Sequence, residues 1–196
     1  MKKILLIVLV GIIPFSIKAQ EKLRDSIYIK TDIFEIMYSE KLEQPLWAKY
    51  KVLCPSGTTS RKGMDFYIVD SIKTSDNKDY EDNVYDKGHM APAADFNCTK
   101  EMLLKTFTYL NCTLQNQYLN RGVWRLLETY ERELSKNFEV SVEINCEFLP
   151  SSVKLPTGAT IPTSYTKIIK YSNKQEVYKF KNEKPISNNF KLFLIN

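Results

Sequence analysis

The chain has 196 residues and a formal net charge of +5, enough for one domain with a sizeable core. Three of its lysines, Lys2, Lys3 and Lys18, lie in an N-terminal leader, and without them the charge is about +2, so a chain-wide basic field is excluded and any polyanion site has to be a local cluster. One histidine and four cysteines without a C-x-x-C pair argue against zinc.

The leader, MKKILLIVLVGIIPFSIKAQ, has two lysines, an apolar run from Ile4 to Ile17, then Lys18-Ala19. This pattern predicts a signal peptide over residues 1–19, a single domain over residues 20–196 and a secreted or periplasmic protein. The apolar run is short of the roughly 20 residues that span a bilayer, so no stable membrane association is expected after cleavage. An uncleaved anchor is the competing reading. Next, LWAKYKVLC alternates, with Leu46, Ala48, Tyr50, Val52 and Cys54 on one face. TKEMLLKTFTYL reads as a helix capped by Thr99, with Glu101 in its first turn. NRGVWRLLETYERELSKNF reads as a longer helix, with Trp124, Leu127, Tyr130 and Leu134 at helical spacing. FEVSVEINCEF alternates cleanly, with Phe138, Val140, Val142, Ile144, Cys146 and Phe148 on one face. The Pro-, Ser- and Thr-rich text from Pro150 to Pro162 predicts a loop. YTKIIKY, EVYKFK and FKLFLIN read as late strands. Strands before, between and after helices, without βαβ regularity, give an α+β fold.

The single histidine, His89, stands in YDKGHMAPAADF. One imidazole can act as a base near neutral pH. It cannot be acid and base on opposite sides of a phosphate, so a two-histidine hydrolysis is excluded. A one-histidine hydrolase needs another device for the leaving group, and a divalent metal held by oxygen ligands supplies it. The candidates are Asn111, Asn116, Asn120 and Glu128, in NCTLQNQYLNRGVWRLLE.

These two stretches resemble the boxes of the DNA/RNA non-specific endonucleases, which carry a ββα-metal finger: the D-R-G-H box, and N-x-x-P-Q followed by N-x-G-x-W and a glutamate. YSEKLEQPLWAKYKV is similar to the family's early strand and IPTSYTKIIK to its later I-P-x-x-Y-W-K segment, so the likeness runs from about Tyr38 to Tyr171. It implies an α+β nuclease core built on a largely antiparallel sheet with flanking helices, which hydrolyses DNA and RNA with Mg2+ or Mn2+. His89 is then the base, Asn120 the metal ligand, and Glu128 the holder of the metal's waters. Asn111 shapes the site, and Arg61, Lys87 and Arg132 contact phosphate. Two departures stand out: Lys87 replaces the family's arginine, and Leu114 its proline.

Each role has a plain competitor. His89 could be a buried structural histidine, Asn120 a helix cap, Glu128 and Arg132 a surface ion pair one helical turn apart, and Arg61 and Lys87 solvated charges. The alternative function is an exported nucleic-acid or polyanion binder on the same scaffold, without turnover. Among the cysteines, Cys98 and Cys112 flank a helix about 15 Å long, too far apart to bridge. The expectation is a Cys54–Cys146 bridge or two buried thiols, with Cys98 and Cys112 free or bridged elsewhere.

Overall fold

The computed structural model describes residues 23–196; the signal-peptide reading of residues 1–19 lies outside them. In chain order the strands are β1 (Ile27–Lys30), β2 (Phe34–Ser39), β3 (Gln44–Lys51), β4 (Tyr85–His89), β5 (Cys112–Asn116), β6 (Val140–Glu147), β7 (Ser164–Tyr171) and β8 (Lys174–Lys181). Six of them form one antiparallel sheet in the order β1-β2-β3-β6-β7-β8, and β4 pairs with β5 alone. The helices are α1 (Lys100–Thr106), a short α2 (Gln117–Leu119) and α3 (Arg125–Ser135). The fold is α+β, as the strand and helix patterning predicts.

Alternation sets the main sheet. Val140, Val142 and Ile144 of β6 and Ala48 and Tyr50 of β3 are buried, and their neighbours are half-buried or exposed. Thr99 caps α1, accepting from the Met102 amide at 3.1 Å. Trp124 and Leu127 enter the core, where the Trp124 ring meets Tyr165 and Phe180 edge-on at 5.5 and 5.6 Å.

Three expectations change. The long helix breaks: a π-helical turn, Asn120–Trp124, separates α2 from α3, and Gly122 inside it has φ −99° and ψ −117°. That ψ lies outside the regions open to side-chain-bearing residues, so the glycine allows the kink. FKLFLIN is not a strand. Phe190–Phe193 forms a 3-10 turn whose rings pack on the sheet, Phe193 stacking on Phe180 at 4.7 Å and Phe190 lying 5.2 Å from Tyr130.

The third change is the disulfide, which joins Cys54 to Cys98, with Cα atoms 5.5 Å apart, leaving Cys112 and Cys146 free. The register explains why Cys54–Cys146 fails. β3 and β6 run antiparallel, with Trp47 opposite Asn145 and Lys51 opposite Ser141. Cys54 lies past the Lys51 end and Cys146 beyond the Trp47 end, roughly 25 Å apart along the strands. Cys98 does not pair with Cys112, as the helix between them requires.

Candidate active site

The groove is built on β4, β5 and the α2–α3 segment. β4 and β5 pair from Tyr85 opposite Asn116 to His89 opposite Cys112. Gly88 is dictated by this pairing: a Cβ there would lie 2.6 Å from the Gln115 Cβ. Leu114 also has a local reason. Its amide donates to Gln44 Oε1 at 3.0 Å and its carbonyl accepts from Tyr165 and Asn182, and a proline would lose the first of these bonds.

A cavity of about 790 Å³ opens beside this unit, lined by His89, Arg61, Lys87, Asn120, Glu128 and Arg132 among others. Six of the seven residues to which the resemblance gives a role therefore meet there, and Asn116, the further candidate ligand, is not among the lining. The seventh, Asn111, is buried behind it. Its side chain accepts from the Ala91 amide at 2.8 Å and donates to the Ala91 and Thr106 carbonyls. It straps the chain just after His89 to the end of α1.

His89 sits between Phe66 and Phe107, ring centroids 4.7 and 5.0 Å away. Its Nε2 is buried and has no hydrogen-bond partner among the described residues, so Nδ1 is the nitrogen the cavity can reach. Burial, with a smaller push from Arg61, lowers its pKa to about 3. The imidazole is neutral at pH 7 and can accept a proton.

Asn120 does not cap the start of the helix that follows it. Its backbone is helical and the cap of α2 is Asn116, whose side chain accepts from Tyr118. The Asn120 amide Nδ2 donates to Asp86 Oδ2 at 2.9 Å, which leaves Oδ1 as a free donor oxygen. Arg121 clamps the same carboxylate through two bonds of 2.8 and 2.5 Å. Asp86 and Arg121 are the site residues that sequence reasoning missed; the signal was the aspartate that opens the D-x-G-H box.

The Glu128–Arg132 surface pair does not form. Arg132 instead binds Asp95 at 2.9 Å and the Thr129 hydroxyl. Burial raises the Glu128 carboxyl to about 7, against the opposing fields of Lys167 and Arg132. Beneath it lies a second unforeseen feature: Lys167 of β7 and Glu131 of α3 form a fully buried ion pair, with Tyr50 donating to Glu131 at 2.8 Å and the Lys167 ammonium 4.6 Å from the Trp124 ring centre. Lys87 bonds Asp65 at 3.0 Å and also Asn77, with its ammonium over the Phe66 and Tyr109 rings. The Arg61 side chain makes no hydrogen bond or ion pair with a described residue.

The donor chemistry can be tested against a metal. Among the described residues no three His, Cys, Asp or Glu side chains cluster. The cavity lining offers amide oxygens on Asn120 and Asn97, both amides held through Nδ2, and one carboxyl, on Glu128. That sparse all-oxygen set fits a hard cation that keeps most of its own waters, as magnesium does, and does not fit zinc.

The model of the DNA/RNA non-specific endonuclease family matches residues 17–192. The chain is 39% identical over 85 residues to the mitochondrial nuclease EXOG of Danio rerio, covering 42% of this chain and 25% of that protein. It is 29% identical over 112 residues to the mitochondrial endonuclease G of Bos taurus, covering 54% and 37%. A nuclease of Syncephalastrum racemosum is 40% identical over 87 residues, covering 43% and 27%. The matches thus span well under half the length of these relatives. The solved structure of an EndoG in complex with EndoGI superposes with a TM-score of 0.76 at 24% identity, over 86% of this chain and 80% of that one, and shares the fold. The relatives correct the expected location: the vertebrate proteins are mitochondrial by name, and the secreted or periplasmic destination is withdrawn. The chain belongs to the DNA/RNA non-specific endonuclease family.

Proposed function

We propose that the protein is a metal-dependent endonuclease that hydrolyses phosphodiester bonds of DNA and RNA. The observation that carries this reading is the meeting of a neutral His89, a fixed Asn120 oxygen and Glu128 in one cationic cavity. Asn120 Oδ1 would hold Mg2+ (or Mn2+), and Glu128 would order the waters the ion keeps. The bound cation supplies positive charge for the crowded phosphorus and the leaving 3′ oxygen.

The rest belongs to the chain's own side chains. His89 Nδ1 takes the proton from the attacking water, and the Phe66 and Phe107 rings fix the imidazole plane. A phosphodiester anion against the ring offsets the Arg61 field and raises the basicity of His89. Asp86 keeps the Asn120 amide from turning. Arg61, Lys87 and Arg132 receive the non-bridging oxygens, Lys87 as a point charge and the arginines as forks. In-line attack breaks the bond to the 3′ oxygen and leaves a 5′-phosphate and a 3′-hydroxyl. Because these groups meet phosphate rather than bases, DNA and RNA both fit.

Plasmid and RNA incubated with the purified protein test the reading. Magnesium should give nicked plasmid and degraded RNA, and chelator should stop both. Nucleic-acid binding without cleavage at any divalent-metal concentration would overturn it in favour of a non-catalytic binder.

A further inference from the structure

Next to the groove lies a second trough of about 430 Å³, and Arg121 lines both. The other residues that matter are Tyr118, Gly122, Lys184, Ile186 and Asn188. Among the described residues no carboxylate lines it. Tyr118 stands on α2, two residues before Asn120, with 53% of its surface open to solvent. The Lys184 ammonium lies 5.1 Å from the centre of its ring. Ile186 is 94% exposed beside it.

The wall is fitted closely to the kink. A Cβ on Gly122 would come 2.9 Å from Asn188 Oδ1, so the segment carrying Lys184 and Ile186 rests directly against the turn that presents Tyr118 and Arg121. Asp86 holds Arg121 through Nε and one terminal nitrogen, so its other terminal nitrogen is available to a ligand. The trough therefore combines an exposed aromatic ring, the Lys184 ammonium and the unengaged terminal nitrogen of Arg121, whose other nitrogens are held by Asp86, and it adjoins the phosphate groove through Arg121.

An exposed aromatic beside cations is the pattern that binds unpaired nucleic acid, because every base has a π-face and every nucleotide a phosphate. We propose that this trough is a subsite for one unpaired nucleotide next to the bond that is cut, with its base on Tyr118 and its phosphate between Arg121 and Lys184. The proposal rests on the nuclease reading and extends it to substrate form: a base can reach Tyr118 only out of the duplex, so single-stranded substrate is preferred.

The test compares a single-stranded oligonucleotide with methyl 4-nitrophenyl phosphate, a small diester that carries no nucleotide base and no second phosphate. For Tyr118→Ala, the ratio of kcat/KM on the oligonucleotide to that on the small diester should fall roughly 5- to 100-fold, the range that stacking one base on an aromatic ring is worth. Most of the fall should appear in KM, and Tyr118→Trp should restore the ratio. Lys184→Ala should lower the salt dependence of oligonucleotide binding by about one phosphate contact. An unchanged ratio in Tyr118→Ala, or an equal fall on duplex and single strand, would overturn the subsite. If the wild-type protein cleaves neither substrate, the nuclease reading fails. Anisotropy of a labelled single strand then decides the subsite by itself: weaker binding by Tyr118→Ala supports it, and equal binding refutes it.

Discussion

Replacing Lys167 by methionine isolates the buried charge beneath the site. Both Lys167 and Glu131 are fully shielded from solvent, and methionine keeps the length and most of the volume of the lysine stem. What is lost is the ammonium, leaving the Glu131 carboxylate buried with only the Tyr50 hydroxyl at 2.8 Å. Breaking such a pair from one side costs about 3–5 kcal/mol, whereas removing both charges is often close to neutral. Lys167→Met should therefore lower Tm by roughly 10 °C, taking about 2–4 °C per kcal/mol for a chain of this size. Adding Glu131→Gln, which retains a partner for Tyr50, should recover most of that loss. Urea melts of the wild type, both single variants and the double variant form a cycle with an expected coupling energy of about 2–4 kcal/mol. The same perturbation reaches the site, because the Lys167 field holds the Glu128 carboxyl down; without it Glu128 should take up its proton at still higher pH. A single-variant cost under about 1 kcal/mol, or a double variant as unstable as the sum, would refute this account of the pair.

Glu40 gives the pH dependence. Arg24, through its guanidinium and amide, and the Lys73 amide bond this carboxylate and lower its pKa from 4.5 to about 2. A depressed carboxylate contributes stability above its unfolded value that is lost as the pH falls through the folded one, so wild type should lose about 2 kcal/mol more than Glu40→Gln between pH 5 and pH 2; parallel acid melts would contradict this. Lys87→Arg should keep activity and Lys87→Ala should lose roughly tenfold or more, measured as kcat/KM on RNA, because Lys87 acts as a point charge; equal rates in all three would make it a solvated charge. Peptide mapping without reductant should recover the Cys54–Cys98 link, and Cys54→Ser should cost up to about 4 kcal/mol, the loop-closure entropy of a separation of 44 residues.

The core strands were readable because β3 and β6 each bury one face, so alternation shows directly. The two boxes were readable because the chemistry constrains residue types at fixed spacing: Gly88 cannot carry a Cβ against Gln115, and His89 and Asn120 are brought to one cavity. The broken helix was not readable, since the apolar spacing of Trp124 and Leu127 continues across a kink that only the Gly122 dihedrals reveal. The disulfide was missed because it joins two loops: the Cys54 amide bonds the Asp95 carbonyl at 3.0 Å, which brings Cys98 alongside, and no strand pattern contains that contact. The Lys167–Glu131 pair left a usable trace: Tyr165, Lys167, Ile169 and Tyr171 share one face of β7, and a lysine among core residues calls for a buried partner. Asp86 and Arg121 were missed because their work is done on another side chain.

The central claim is that His89 is the base of a metal-assisted hydrolysis. His89→Ala, compared with the wild type on plasmid and RNA in magnesium, tests it most directly. The account predicts a loss of about 10²- to 10⁴-fold in cleavage rate, with the melting temperature and nucleic-acid affinity nearly retained. A folded His89→Ala protein that turns over at the wild-type rate would contradict it.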